Sequence, residues 1–246
     1  MKPRSEALLR LLAVQAAWTY ERMSGIGVGH AAAPLLRDLY AQRSAQERRA
    51  AVARSAEFFN SHPYLAGVAV GAVVRAERDG VPGEAIVRLR TALSGPLGAL
   101  GDQLVWAGEV PALVGITLVL TPWLGAWAVV GMLVIHNVLR FWLTSWGLDL
   151  GLREGLGVGS ALQRSWLPHA AARAQSVAAL SVGLAIPVIA WDLLDGVPVT
   201  TGAGIVGAML LGAILMLSPW TRERITGLRI GLGLLFVALV LIGGLR

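Results

Sequence analysis

The second half of the sequence is dominated by apolar runs that approach the length of a bilayer-spanning helix. Residues 177–194, 202–217 and 228–245 are the clearest of them, and short polar loops separate them. A transmembrane helix needs about 20 mostly apolar residues. Of the whole chain, 55% is hydrophobic and 15% is charged, whereas a soluble domain carries roughly a quarter charged residues. The sequence therefore predicts an all-α, polytopic helical membrane protein.

Charge is concentrated in the first part of the chain, where residues 1–90 hold thirteen Lys and Arg and eight Asp and Glu. We expect two zones. Residues 1–109 form an amphipathic, charged N-terminal zone with two Gly/Pro-interrupted apolar segments, and residues 110–246 form a transmembrane helical region. The net charge is +6. Because the arginines flank apolar runs instead of alternating with aromatic residues, the bilayer's anionic headgroups, and not a nucleic acid, are the expected partner.

The loops of the second half predict an orientation. Residues 195–202 contain no Lys or Arg, whereas residues 218–229 contain three Arg. Positively charged loops tend to stay in the cytoplasm, which places 218–229 inside and 195–202 outside. Counting back along the chain, residues 144–176 and the N-terminus are then also cytoplasmic.

The apolar run at residues 110–143 is too long for one ordinary span, and Pro122 lies within it. If the N-terminal zone and residue 144 both lie in the cytoplasm, the chain between them must cross the membrane an even number of times. Either this run is a hairpin broken near Pro122, or the short apolar run after His62 makes the other crossing.

The opening of the chain predicts an amphipathic helix. One of its faces carries Leu8, Leu11, Leu12, Gln15 and Trp18. This helix either lies in the membrane interface or packs on the protein itself. Arg10 interrupts the apolar stretch, so we do not expect a cleaved signal peptide. A glycine-rich break is expected at residues 25–34, followed by a charged helix within residues 37–59.

Two apolar segments of the N-terminal zone carry Gly and Pro at positions that disfavour a continuous helix. One comprises residues 62–74, and the other comprises residues 93–111 with Gly95, Pro96, Gly98 and Gly101. Non-helical backbone at membrane depth must be satisfied by protein or water, so it lines cavities. In transporters such interrupted or re-entrant helices indicate the substrate site.

Polar side chains occur at both interruptions. Asn60 and His62 precede the first, and Asp102 follows the glycines of the second. Ionisable groups within a membrane segment are costly and therefore indicate function. Two structural alternatives stay open, because Asn60 could cap a helix that begins near Pro63 and Asp102 could be a buried helix cap.

Several kinds of chemistry are not supported by the sequence. There is no cysteine, and the four histidines are scattered, so neither a disulfide nor a metal site is expected. Lys2 is the single lysine, which argues against Schiff-base and P-loop chemistry. We expect no cofactor.

Four blocks of the sequence resemble successive blocks of the IID membrane subunit of the mannose/fructose/sorbose-family bacterial phosphotransferase systems (PTS). They are WTYERMSGIGVGHAAAPLLRDLY from residue 18, EFFNSHPYLAGVAVGAVVRAE from residue 57, LSGPLGALGDQLVW from residue 93 and HNVLRFWLTSWGLDLGLREG from residue 136. Their order and spacing both match, over roughly residues 15–155.

The resemblance implies a subunit of a sugar permease. A IID subunit pairs with a IIC membrane subunit in a hetero-oligomer, and together they bind a hexose and carry it across the inner membrane. The cytoplasmic subunits IIA and IIB supply the phosphoryl group for the arriving sugar. IID carries no phosphoryl-accepting residue, so this chain is not expected to be an enzyme by itself. By motif match, the candidates for the transport path are Glu21, Asn60, His62 and Asp102.

The chain departs from the family pattern in three places. It has RSAEFFN where the family has Arg-His before that Glu, GEVP where the family has Arg before the proline, and Ser24 where the family often has Gln. A second hypothesis therefore stays open, in which the chain is a degenerate IID-like membrane scaffold or regulatory subunit that does not transport sugar.

Overall fold

The structure is a computed structural model that describes residues 2–194, 196, 198–204, 206 and 207. The predicted all-α, helical membrane fold is confirmed. The α-helices are, in order, α1 Pro3–Leu12, α2 Gly25–Leu39, α3 Ala45–Ser55, α4 Ala66–Arg78, α5 Gly83–Gly101, α6 Val110–Leu124, α7 Ala126–Glu154, α8 Val158–Arg164 and α9 Leu167–Leu194. Asp102–Glu109 is a π-helical segment between α5 and α6, and Pro63–Leu65 is a 3₁₀ turn before α4.

By packing, the chain divides into two compact units, Met1–Val188 and Ile189–Arg246. The contacts and cavities discussed below lie within the first unit. The predicted boundary near residue 109 was drawn from charge and hydropathy, which is a different division, and it stays a prediction. The predicted span at 228–245, and most of that at 202–217, lie outside the described residues.

Helix α4 is the centre of the first unit. It has 13 residues, and every one from Ala66 to Val74 is buried. Two of its glycines, Gly67 and Gly71, contact α7 where that helix carries Gly147 and Gly151. Glycines four residues apart form a flat strip that lets two helix backbones approach closely. The short apolar run after His62 is therefore a buried core helix.

Helix α1 packs on the protein itself, which decides between the two alternatives given above. Ala7, Leu8 and Leu11 are buried in the main core. The helix ends at Leu12, so Trp18 is not part of it and is 44% exposed. The amphipathic pattern of α1 thus reflects its contact with the neighbouring helices.

The glycine-rich break expected at residues 25–34 is wrong, because α2 begins at Gly25 and continues through all of them. Here the glycines serve close packing. A Cβ on Gly27 would lie 2.7 Å from the backbone carbonyl carbon of Val14, and one on Gly29 would lie 2.6 Å from the Cβ of Ala56. Small residues at these positions let α2 lie directly against its neighbours.

Helices α2, α3 and α4 are joined by a buried ionic cluster. Glu77 is 4% exposed, and its carboxylate accepts hydrogen bonds from the Tyr40 hydroxyl at 2.6 Å and the Arg54 guanidinium at 2.8 Å. Burial, and then the hydrogen bond to Glu77, raise the pKa of Tyr40 to about 12. Arg54, a residue of the predicted charged helix, thus pairs with a buried carboxylate of α4.

The interruption expected at Gly95, Pro96, Gly98 and Gly101 lies further along the chain. Helix α5 continues to Gly101, and the change of helical form occurs over the π-helical segment. Gly101 is needed for packing, because a Cβ there would lie 2.5 Å from Cγ of His62. A π-helical turn inside an α-helix is rare and often marks a functional site.

The long apolar run at residues 110–143 is divided at Gly125, directly after Leu124. Gly125 has φ +53°, a conformation that favours glycine, and it separates α6 from α7. The two helices pack against each other. The run therefore forms a helical hairpin, but it is broken at Gly125 and not at Pro122, which lies inside α6. The number of membrane crossings stays a prediction. We call α6 with residues 126–143 of α7 the hairpin arm.

In the part of the chain that the structure describes, two helical stretches are long and apolar enough to cross a membrane, Gly83–Leu124 and Ala126–Ala190. Large apolar side chains of the hairpin arm are exposed, among them Trp123, Trp127, Leu133 and Val138. Extensive apolar exposure of this kind is typical of a surface that faces lipid or another membrane subunit.

Candidate functional site

The loop between α3 and α4 is the point where the separate sequence blocks meet. The backbone N–H of Phe59 donates to the carbonyl of Arg22 at 3.3 Å. In return, the Phe59 carbonyl accepts from the Ser24 backbone N–H at 3.0 Å and from its hydroxyl at 2.8 Å. The turn that carries Glu21 is closed by reciprocal bonds between Thr19 and Met23. Glu21, itself exposed, therefore lies in a turn that is bound to the residue before Asn60.

Asn60 is tied to α5 through its backbone. Its N–H donates to the Ser94 hydroxyl at 3.2 Å, and that hydroxyl in turn donates to the Asn60 carbonyl. The side chain of Asn60 is exposed and makes no hydrogen bond to another described residue. The residue that caps the following turn is His62, whose Nδ1 accepts from the Tyr64 N–H at 3.3 Å. The cap interpretation of Asn60 is therefore wrong.

Arg90 supports this loop from inside the protein. It is 1% exposed, and its guanidinium donates to the carbonyls of Arg54 at 2.7 Å and Glu57 at 3.0 Å. The same group lies 5.5 Å from the centre of the Phe59 ring. These carbonyls lie at the C-terminal end of α3, where a cation is favoured by the helix dipole. Arg90 thus holds the segment that presents Asn60.

His62 is buried, with 2% of its surface exposed. Its ring lies against Gly101 and contacts the edge of Trp106, with the ring centres 5.9 Å apart. Among the described residues its Nε2 has no hydrogen-bond partner. Burial lowers the pKa of His62 to about 4, and the nearby Asp102 carboxylate acts in the opposite direction. The ring is therefore neutral at physiological pH.

Asp102 is exposed and begins the π-helical segment. Asp102 is the residue at the end of α5, but it is exposed and its carboxylate makes no hydrogen bond to another described residue, so it is not a buried cap. Asp102 directly follows Gly101, the glycine that contacts His62. The structure thus brings Asn60, His62 and Asp102 to the contact between the α3–α4 loop and the end of α5. Three of the four predicted residues (Glu21, Asn60 and Asp102) have exposed side chains.

A second polar cluster was not predicted. The Tyr64 hydroxyl lies 3.0 Å from Nε2 of His136, and Nδ1 of His136 lies 2.9 Å from the Glu109 carboxylate. Arg140 stacks over the Tyr64 ring at 5.3 Å and donates to the carbonyl of Leu12. The sequence did contain a signal, since His136 and Arg140 are polar residues inside an apolar run. Their partners are distant in sequence, which concealed the cluster.

This cluster adjoins a cavity of about 350 Å³. Its walls come from the π-helical segment, α6, α7 and α9, and they include the indoles of Trp142 and Trp166. Cavities of this size and mostly apolar character can hold a small molecule. No group of three His, Asp or Glu side chains suited to a metal ion occurs in the described part of the chain.

Comparison with known proteins gives a consistent assignment. Residues 1–189 match the model of the "PTS system mannose/fructose/sorbose family IID component". The chain is 24% identical over 227 residues to the "PTS system mannose-specific EIID component" of Escherichia coli, covering 88% of this chain and 67% of that protein.

Two solved structures share the fold. One, described as "Structure of membrane protein", superposes with a TM-score of 0.67 at 22% identity and covers 98% of this chain and 95% of its own. The other is the mannose transporter ManYZ in complex with the microcin MceA. It superposes with a TM-score of 0.53 at 20% identity and covers 98% of this chain and 94% of its own. The predicted resemblance is confirmed: the chain belongs to the IID component family of mannose/fructose/sorbose phosphotransferase systems.

Proposed function

We propose that this chain pairs with a IIC membrane subunit and that the two bind a hexose and carry it across the bacterial inner membrane. The observation that carries the proposal is the meeting of three separate sequence blocks at Phe59 and Asn60. Their exposed polar side chains, Glu21 and Asn60, make no hydrogen bond to other described residues, and neither does that of Asp102. Polar groups left free beside apolar helices are suited to a polar ligand.

The chemistry of these side chains fits a sugar. A hexose presents several hydroxyls, and each one left unpaired in a dry site costs about 1–3 kcal/mol. The Asp102 carboxylate can accept from two hydroxyls, and the Asn60 amide can both donate and accept. His62 is buried beneath them, so its proposed role is to position the Asp102 end of the site.

Contact with a second membrane subunit is supported by the exposed aromatic residues around this site. Trp18, Tyr20 and Phe58 are 44%, 86% and 55% exposed, and they flank Glu21 and Asn60 in sequence. Aromatic residues are enriched at the centres of protein interfaces. By analogy with the ManYZ transporter, we propose a hetero-oligomer in which IIC covers this face.

Phosphoryl transfer is proposed to lie with the IIA and IIB subunits on the cytoplasmic side, where we also place the N-terminus. In this proposal the chain is a non-catalytic subunit, and His62 is not a phosphoryl acceptor. Its burial supports that assignment, because a phosphoryl donor would have to reach a ring that is 2% exposed.

The test is uptake of radiolabelled hexoses in cells that lack their own mannose-type system. The chain is co-expressed with its IIC subunit and the cytoplasmic components, and Asn60→Ala and Asp102→Ala are compared with Gln46→Ala and Asp38→Ala. The last two change the same kinds of side chain at exposed positions outside the site.

Sugar phosphate that accumulates with the wild type and the controls, but falls at least about tenfold with the site variants, supports the proposal. Immunoblots of the membrane fraction check that each variant is inserted. A stable assembled complex that takes up no hexose would favour the scaffold hypothesis, which rests on the departures from the family pattern in RSAEFFN and GEVP.

A further inference from the structure

A groove of about 470 Å³ runs between α2 and α3, apart from the proposed sugar site. Helix α3 contributes residues 48, 49, 52 and 53, which recur at the spacing of one helix face, and Ala56 directly follows its end. Helix α2 contributes Ala33 and Arg37 from an opposite face of the same kind. Gly29 of α2 packs directly against Ala56, which is one of the residues that line the groove.

The rim of the groove is strongly cationic. It consists of Arg37, Arg48 and Arg49, and no acidic residue of the described part of the chain lines it. Arg37 donates to Glu6 at 2.9 Å, a carboxylate that Arg10 also binds. Arg48 and Arg49 form no ion pair within the described part of the chain. Like charges around one groove repel each other, and an anion bound between them would relieve that repulsion.

The floor of the groove is apolar, formed by Ala33, Val52, Ala53 and Ala56. A ligand that matches both the cationic rim and the apolar floor must carry an anionic group and a hydrocarbon chain. Guanidinium groups bind phosphate through paired N–H donors, and an alkyl chain gains stability from contact with an apolar floor.

We propose that this groove binds an anionic phospholipid, with its phosphate held by Arg37, Arg48 and Arg49 and part of an acyl chain lying on Val52 and Ala53. The size of the groove favours a lipid over an acidic protein. A helix with its side chains is about 10 Å across, and a groove of about 470 Å³ between two touching helices admits a single hydrocarbon chain more readily. The chain is also a membrane protein, so such lipids are present around it.

The variants can be made without unfolding α3. Its N-terminus is held by a capping box, in which the Glu47 N–H donates to the Ser44 hydroxyl at 3.2 Å and the Ser44 N–H donates to the Glu47 carboxylate at 2.9 Å. Glutamine is a good helix former, so Arg48→Gln with Arg49→Gln removes two charges and keeps the helix. Ala53→Trp fills the floor and keeps all three arginines.

The experiment uses the full-length chain, purified in the complex it forms in its native membrane. Native mass spectrometry then measures the retention of added phosphatidylglycerol and phosphatidylcholine. The double Arg variant and Ala53→Trp are compared with Arg78→Gln/Arg88→Gln, which removes two exposed arginines elsewhere. We expect phosphatidylglycerol retention to fall at least about tenfold in the double variant, to fall also in Ala53→Trp, and to stay unchanged in the control.

Three outcomes would overturn the proposal. Equal loss in the control would show that net charge alone attracts the lipid. Full retention by Ala53→Trp would show that no acyl chain occupies the floor. Unchanged lipid retention by the double Arg variant, together with lost binding of a purified acidic cytoplasmic subunit, would assign the arginines to a protein partner. Hexose uptake is not a readout here, so this result is independent of the proposed transport function.

Discussion

Gly71 of α4 and Gly151 of α7 meet backbone to backbone. A Cβ built on Gly71 would lie 2.9 Å from the carbonyl carbon of Gly151, and one built on Gly151 would lie 2.9 Å from Cα of Gly71. Because backbone atoms cannot rotate away as a side chain can, any substituent must push the two helices apart. The centre of the first unit depends on these two positions having no side chain.

Substituting either glycine is therefore expected to destabilise the protein severely. For Gly71→Ala or Gly151→Ala we expect a loss of more than about 3 kcal/mol and a strong fall in membrane yield. Gly131→Ala on the same helix α7 is the control, because a Cβ there meets no atom of the described residues within 4 Å. Thermal unfolding in mild detergent, followed by Trp fluorescence, measures the effect. Equal stability of Gly71→Ala and Gly131→Ala would contradict the observed packing.

The buried Glu77 carboxylate is expected to contribute more to the free energy of unfolding than an exposed acidic residue does. Glu77→Ala leaves the Arg54 charge and the Tyr40 hydroxyl without their partner, which should cost about 2–4 kcal/mol. Glu84→Ala should change stability by less than about 0.5 kcal/mol, because its pair with Arg88 at 3.8 Å is exposed. Both are measured by the same unfolding assay. A Glu77→Ala variant as stable as Glu84→Ala would refute this role.

The burial of neutral His62 predicts a pH dependence. Its pKa is lowered in the folded state from 6.5 to about 4. Between these two pH values the imidazole of the unfolded chain therefore binds a proton that the folded protein does not. His62 therefore leaves stability unaffected above about pH 6.5 and lowers it progressively as the pH falls toward 4, by up to about 3 kcal/mol.

His62→Gln tests this pH dependence, because Gln can still accept from the Tyr64 N–H but does not titrate. The difference in unfolding midpoint between wild type and variant is measured from pH 7.5 to pH 4.5. We expect the wild type to lose more stability than His62→Gln over this range. Parallel curves would mean that protonation of His62 is not penalised in the folded protein.

Glu109 and His136, at the base of the hairpin arm, are expected to show strongly coupled effects on the free energy of unfolding. His136→Ala leaves a half-buried carboxylate without its donor and should cost about 2–3 kcal/mol. The double variant Glu109→Ala/His136→Ala removes both groups, so it should be less destabilised than the sum of the single variants. A double-mutant cycle measures this difference, and additivity within about 0.3 kcal/mol would show that the two groups do not interact.

The candidate site illustrates what sequence reasoning can and cannot supply. Matching blocks were enough to select Glu21, Asn60 and Asp102. The fold joins the segment of Glu21 to Phe59, and it joins the segment of Asp102 to Asn60 and His62. The sequence could not show that Asn60 is exposed while His62, two residues later, is buried. That difference arises from Gly101, which allows α5 to pass directly over the imidazole ring.

Composition and hydropathy by themselves determined that this is a helical membrane protein, and the order of the sequence blocks determined its family. Composition, hydropathy and block order are each properties of many residues together, so a wrong interpretation of a single residue does not change them. The tertiary structure decided what the glycines do. Gly27, Gly71 and Gly101 were expected to lie in breaks or interrupted helices, yet each lies at a close contact between elements of the core.

The partners of the polar groups were also decided by the fold alone. Tyr64 and His136 are 72 residues apart, and Glu109 and His136 are 27 apart. Local periodicity carries no information about such distances, because it reports only which face of its own helix a residue occupies. Which helix faces meet depends on the packing of α4 against α7 and on the turn at Gly125. That packing is decided by the combined free energy of many contacts between residues distant in sequence.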